Sequence, residues 1–334
     1  MAEMSRRRSR SGLTISRQAF VRGTLALAAS PLALGYSALT SSSTARAADA
    51  PLDVAAVAPG IYVHQGRHGL FSPENAGDIS NCGFIVGRDA VAVIDTGGSA
   101  MIGMGLKAAI RQITDRPIRH VVNTHMHPDH VFGNAAFDDG NTAFVAHHKM
   151  ARGLGARAER YQAINAKLLG ANAFSGTRIV MPQVPVTGSQ TIELGERTIV
   201  LEAHKTAHTD NDLTVRDVTT GTVFMGDLLF SGHIPTIDGS IRGWLALVAR
   251  LREEKADRVV PGHGPPAMPW PDAIAPLTRY LTAVSAGVAA AIKSGKTLSE
   301  AAETVGLDEK DAWMLFEEYH RRNVSAAFAE LEWE

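Results

Sequence analysis

Within Thr124-His-Met-His-Pro-Asp-His130, four candidate metal ligands fall inside six residues. His125 and His127 stand two apart, so on an extended chain they project to the same side and can grip one ion. The chain must turn at Pro128, after which Asp129 and His130 can face a second ion. Neutral imidazole and carboxylate suit zinc, and also iron or manganese. A loop with only a structural task has little use for so many of these groups. Three further candidates lie far along the chain: His208 in Ala207-His-Thr-Asp-Asn-Asp212, Asp227 in Phe224-Met-Gly-Asp-Leu228, and His263 in Val260-Pro-Gly-His-Gly264. Each alone reads as a satisfied structural residue beside a strand. Together, in this order, they complete two metal shells.

The elements that must position these residues are legible as alternating runs. Gly60–His64, Gly83–Gly87 and Ala90–Asp95 are rich in β-branched residues and bounded by glycines, which predicts strands. Ile102, Leu106, Ile110 and Ile113 share one helical stripe, predicting a helix from about Met101 to Ile113. Ile118–Asn123 reads as a strand that empties into the histidine loop. A second helix is expected from about His147 to Leu169, then hairpin-like strands from Ile179 to Ala203. Strands at Leu213–Val218 and Thr222–Met225 flank a turn at Thr220-Gly221, so Asp227 would follow a strand. A helix near Ile241–Leu251 and a short run at Arg258–Val260 lead to His263. Beyond Pro271 the chain turns helical, with Ile274, Leu277, Leu281, Val284, Val288 and Ile292 on one stripe, and Thr297 with Glu300 forms a capping box.

The full ligand pattern resembles that of the metallo-β-lactamase superfamily over roughly residues 52–270. The resemblance implies an α/β fold, a four-layer αβ/βα sandwich with metals at one edge between two sheets, here with a helical C-terminal extension. It also implies that His125, His127 and His208 hold the first metal. Asp129, His130 and His263 would hold the second, and Asp227 would bridge both. Asp95, in the Ile-Asp-Thr-Gly turn, looks like the superfamily's supporting aspartate beneath the metal loop. Pro73–Asn81, Val131–Phe137 and the ending Ala326–Glu334 are similar to the quinoprotein relay system zinc metallohydrolases, exported proteins associated with sulfur oxidation. The implied chemistry is hydrolysis of a small ester, thioester, lactone or lactam by a dinuclear zinc site. Two metals sharing a water lower its pKa from ~15.7 toward ~7, and Asp129 is the carboxylate best placed to orient the nucleophile or carry its proton. An aspartate at the bridging position favours glyoxalase-like or lactonase-like hydrolases over a dedicated β-lactamase, which usually offers cysteine or nothing there. The competing readings are a mononuclear iron dioxygenase of sulfur compounds and a non-catalytic accessory protein of a periplasmic redox pathway.

Other residues carry less. His233, in Ser231-Gly-His-Ile-Pro235, could overhang the cleft and touch substrate. His64 and His68 read as exposed loop residues, His147 and His148 as solvent-facing at a helix start, and Trp244 as core. The single cysteine, Cys82, sits in an apolar run and reads as a buried thiol. With 33 Lys and Arg against 34 Asp and Glu, the near-neutral chain gives no global electrostatic reason to bind nucleic acid or an anionic membrane. Arg6, Arg7, Arg8 and Arg10, a weakly apolar stretch from Gly23 to Leu39, and Ala45-Arg-Ala47 follow the plan of an export signal. Ser16-Arg-Gln-Ala-Phe20 resembles the twin-arginine motif, except that Gln18 replaces the second arginine. The expected organisation is therefore an export segment at 1–47, a catalytic domain at 48–270 and C-terminal helices at 271–334, in the periplasm.

Overall fold

A computed structural model describes residues 50–333; the expected export segment lies outside the described residues. Two sheets face each other. The first has seven strands in sequential order: β1 (Ala55–Ala58), β2 (Ile61–His64), β3 (Cys82–Val86), β4 (Val91–Ile94), β5 (Ile118–Asn123), β6 (Ala143–His147) and β7 (Val184–Val186). Strands β1 to β4 pair antiparallel, and β4 to β7 pair parallel. The second sheet holds β8 (Ser189–Glu193), β9 (Thr198–Ala203), β10 (Leu213–Asp217), β11 (Thr222–Phe230) and β12 (Arg258–His263), ordered β12-β11-β10-β9-β8. The helices are α1 (Ala100–Ile113), α2 (Pro128–Val131), α3 (Met150–Ala173), α4 (Ile241–Arg252), α5 (Ala275–Lys293), α6 (Leu298–Thr304) and α7 (Phe316–Leu331).

Strand periodicity explains why these pieces stack in four layers. Along β4, Val91 and Val93 point outward to Ile102, Leu106 and Ile110 of α1, while Ala92 and Ile94 point inward. The inward set meets Leu201, Val215, Phe224 and Val260 of the second sheet. On that sheet's far face, Val223, Met225 and Val259 pack against α4, α5 and α7. Each such Val, Leu, Ile or Phe buried stabilises the fold by roughly 1.5–3 kcal/mol. The αβ/βα sandwich is thus written in the two-residue alternation of the strands. Ser99 caps α1 by accepting from the Ile102 amide, and Thr297 with Glu300 forms the expected capping box on α6.

The structure corrects several sequence readings. Helix α3 starts at Met150, because His147 completes β6 and is buried; its Nε2 meets the His204 carbonyl, while His148 is exposed. His64 is also buried, held between the Asp53 carbonyl and the Asp78 carboxylate, and His68 is half-buried. The hairpin is β8–β9 alone, whereas β7 joins the first sheet beside β6. Ile113 leaves the α1 stripe and is exposed. Strand β11 runs five residues beyond Met225, to Phe230, so Asp227 lies within it. Trp244 and Cys82 are buried as expected.

Candidate metal centre

All seven candidate ligands converge at one edge of the sandwich, where β5, β11 and β12 end together. The histidine loop leaves β5 and is clamped from below. Asn123 donates to the His130 carbonyl, Asn134 donates back to Asn123, and the Thr96 amide donates to the same His130 carbonyl. From the second sheet, β11 kinks at Gly226, whose φ is 51°. A Cβ there would lie 2.5 Å from the Thr124 hydroxyl, so only glycine lets the two sheets approach. At Gly262 a Cβ would lie 1.9 Å from Asp227 Oδ1, so the residue before His263 must also lack a side chain.

Two ligand groups result, His125, His127, His208 and Asp227 in one, and Asp129, His130 and His263 in the other. Within each group the donor atoms lie within 4.8 Å of one another. Asp227 reaches both groups with different oxygens. Its Oδ2 is 3.4 Å from His208 Nε2 and 3.7 Å from His125 Nε2. Its Oδ1 is 3.1 Å from His130 Nε2 and 3.5 Å from His263 Nε2. Asp129 Oδ2 stands 3.3 Å from His263 Nε2 and 3.4 Å from His130 Nε2. Ligands ~2.1 Å from a tetrahedral ion are about 3.4 Å apart, so these spacings match a shared ion better than direct bonds.

The hydrogen-bond pattern gives an independent test of fit. His208 Nδ1 faces the Thr236 carbonyl at 2.7 Å and His263 Nδ1 faces the Ile79 carbonyl at 2.8 Å. Carbonyls only accept, so both Nδ1 atoms carry a proton, and each Nε2 is the atom left to offer a lone pair inward once the ring is neutral. Carboxylates hold two more rings: Asp238 accepts from His127 Nε2 at 3.1 Å, and Asp95 accepts from His130 Nδ1 at 2.9 Å. The Thr124 hydroxyl gives its proton to Asp95 and so accepts from His125 Nδ1. Every ring is therefore held from behind, the arrangement that orients metal-binding histidines. Facing inward, His125 Nε2, His130 Nε2 and Asp227 Oδ1 are buried without any hydrogen-bond partner. Such orphaned atoms are costly in a dry interior, and a pair of cations satisfies them. The residues fit a metal cofactor.

Electrostatics point the same way. Burial holds His208 down to about 3 and His125 well below its usual value, so both stay neutral. For His263 burial opposes protonation, but Asp227 and Asp129 outweigh it and push the ring up to about 9. His130 is raised well above its usual value by the same carboxylates. Burial would raise Asp227, yet His130, His263 and His125 bring it well below the carboxylate range. The second group thus carries protons that a metal must displace.

Beside the ligands opens a cavity of about 810 Å³. His233 lines it, buried, with its ring 4.8 Å from that of His263. Trp244 packs 5.3 Å from His208, behind the first group. Sequence reasoning missed Asp238, whose loop is held by the C-terminal helix. Asn323 on α7 donates to the Pro235 carbonyl and accepts from the Ile237 amide. Glu330 accepts from Ser240 Oγ and the Ile241 amide. That loop also supplies the Thr236 carbonyl behind His208, so α7 supports two ligands as well as covering the second sheet. No local pattern marks Asp238. Replacing it with asparagine should weaken metal binding or activity about 10–100-fold, with the metal affinity of the purified variant as the measurement and unchanged affinity as the contrary result.

Comparison with known proteins agrees with this architecture. A family model described as the metallo-beta-lactamase superfamily matches residues 75–263, more than half of the chain. The chain is 41% identical over 49 residues to a linear primary-alkylsulfatase from Pseudomonas sp., a match spanning 15% of this chain and 9% of that protein. Among solved structures, a stereoselective inverting sec-alkylsulfatase from Pseudomonas sp. superposes with a TM-score of 0.65 at 16% identity, over 83% of this chain and 50% of that one. A beta-lactamase domain protein from Burkholderia ambifaria gives 0.63 at 18% identity, over 84% and 87%. A metallo-beta-lactamase from Pontibacter korlensis gives 0.53 at 20% identity, over 69% and 99%. The chain therefore spans about half the length of the sec-alkylsulfatase and a small part of the curated relative, and at these identities the structural likeness speaks for the fold. With ligand order, sheet topology and family match in agreement, the chain belongs to the metallo-beta-lactamase superfamily.

Proposed function

We propose that the protein is a dinuclear zinc hydrolase acting on a small ester, thioester, lactone or lactam. The observation that carries this reading is Asp227, whose two oxygens face two separate ligand groups. His125, His127 and His208 hold the first ion, and Asp129, His130 and His263 the second, with Asp227 shared. When bound, the ion pair supplies activated water at neutral pH and Lewis acidity toward the substrate oxygen.

The chain's own groups do the rest. Burial would raise Asp129, but His130 and His263 draw its carboxyl well below the usual range, so it is ionised. It lines the cavity and can orient the attacking water, take its proton and pass it to the leaving group. Tyr161 and Tyr319 also line the cavity, and burial raises both to about 12, so their hydroxyls stay protonated as donors for a developing oxyanion. His233, also on the wall, contacts the bound substrate beside the second ion.

Metal analysis of protein purified without added metal tests this reading. The expected result is about two zinc ions per chain. Restoring zinc to the stripped protein at ~1,000 times Kd should stabilise it by ~4 kcal/mol and raise Tm by about 10 °C, with proton release. One iron per chain with oxygen consumption would instead support the dioxygenase. Zinc-loaded protein that leaves a broad panel of esters, thioesters and lactams untouched would support the accessory role.

A further inference from the structure

The cavity wall is polarised in a way the metal ligands do not require. Helix α3 turns Arg157, Arg160, Tyr161, Ile164, Asn165 and Leu168 to the cavity. These positions follow the three- and four-residue steps of one helix face. The half of this face nearer the helix start is cationic, and the other half is apolar.

At the cationic end, Arg157 and Arg322 share one carboxylate, Asp238, at 3.7 and 3.5 Å. Arg160 is exposed on the wall and pairs with no carboxylate among the described residues. Apart from the metal ligands, three guanidiniums and one carboxylate line the cavity, an excess of two positive charges. This end adjoins the first ligand group, because Asp238 also holds His127.

At the apolar end, Ile164 and Leu168 are 43% and 46% exposed, and Leu70 on the same cavity wall is 48% exposed. Such large aliphatic side chains facing open space on one wall indicate contact with an apolar ligand surface. Phe71 and Ile79 extend the wall, and the Ile79 carbonyl holds His263. The apolar end therefore adjoins the second ligand group. The metal site lies between a basic and an aliphatic wall, in a volume suited to a ligand of moderate size.

We propose that the cavity selects an anionic amphiphile, an ester or thioester with a negatively charged group on one side of the scissile bond and an alkyl or aryl body on the other. Arg160 and Arg322 receive the charge, and Ile164, Leu168 and Leu70 receive the apolar body. This rests on the hydrolase reading and narrows its substrate class.

The test uses the zinc-loaded full chain and two matched substrates, mono(para-nitrophenyl) glutarate and its methyl ester. The acid should be preferred in kcat/KM by about tenfold or more, and the preference should shrink as salt is raised. Arg160→Gln with Arg322→Gln should bring the ratio of the two substrates close to unity, mostly through KM, and Arg160→Lys should keep most of it. The ratio is the chosen readout because any disturbance of Asp238 and His127 slows both substrates together. Arg152→Gln, on the same helix but outside the cavity wall, should leave the ratio as it is. Equal use of both esters by the parent protein, or a ratio unmoved by the double substitution, would overturn the proposal. So would a plain alkyl sulfate, charged only at the scissile group, being cleaved faster than the glutarate. Failure of the underlying hydrolase reading looks different, since neither ester would then be cleaved at all.

Discussion

Asp227→Ala is expected to fold, to bind fewer than one metal per chain in place of about two, and to lose at least about a thousandfold in kcat/KM. The reason is charge as much as coordination. Two dications about 3.5 Å apart repel by on the order of 20 kcal/mol at an effective dielectric of ~20. A carboxylate within bonding distance of both offers attraction of the same order, and Asp227 is the carboxylate that faces both groups. Without it, His208 and His125 keep only His127 as company, while His130 and His263 keep only Asp129. Asp227→Asn should be intermediate, since an amide offers one oxygen and must turn its NH2 toward the other group. Metal content by elemental analysis, Tm with and without zinc, and turnover check the series together. Near-normal turnover by Asp227→Ala with two bound metals would refute the bridging role.

The candidate ligands were legible in sequence because metal chemistry restricts residue type wherever the chain happens to place it. His125, His127, Asp129 and His130 signal by local spacing, and His208, Asp227 and His263 by lying beside strands whose alternation is clear. The position of Asp227 was less clear. Glycine and aspartate are poor strand residues, so Gly226-Asp227 reads as a strand end, whereas β11 kinks there and continues to Phe230. His147 misled for the opposite reason. A polar pair before a helical pattern reads as a helix start, but the chain just after β9 supplies a carbonyl partner from His204. Asp238, Arg157 and Arg322 form one charged cluster drawn from a loop, α3 and α7, and no segment alone contains a hint of it. The C-terminal helices showed their amphipathic stripe, but their grip on the loop at 235–241 depends on Asn323 and Glu330 meeting the backbone amides of Ile237 and Ile241, which only the packed structure brings near.

Asp95→Asn is expected to fold close to normally while losing metal affinity about 100-fold or more, because one carboxylate fixes the protons of two ligands. Asp95 sits at φ 55° after β4, buried, in a backbone conformation that asparagine tolerates. Its Oδ1 accepts from the Thr124 amide at 2.8 Å. Its Oδ2 accepts from the Thr124 hydroxyl at 2.7 Å and from His130 Nδ1 at 2.9 Å. The Thr124 amide can only donate, so an asparagine must place its oxygen there and its NH2 against His130 and the Thr124 hydroxyl. His130 Nδ1 then has to accept, which moves the ring proton to Nε2, the atom that faces Asp227 and the second ligand group. The Thr124 hydroxyl, now receiving a proton from the amide, can turn its own toward His125 Nδ1 and send that ring's proton to Nε2 as well. Both inward lone pairs are lost without any atom moving far. Asp95→Ala should behave differently: it orphans three buried donors, at about 1–3 kcal/mol each, and should lower Tm by several degrees before metal is considered. The pair therefore separates a tautomer effect from a folding effect. At a zinc concentration that saturates the parent, proton-detected imidazole nitrogen spectra of the asparagine variant should show a proton on His130 Nε2, where the parent shows none. Parent-like spectra with two tightly held metals would show that Asp95 serves the fold alone.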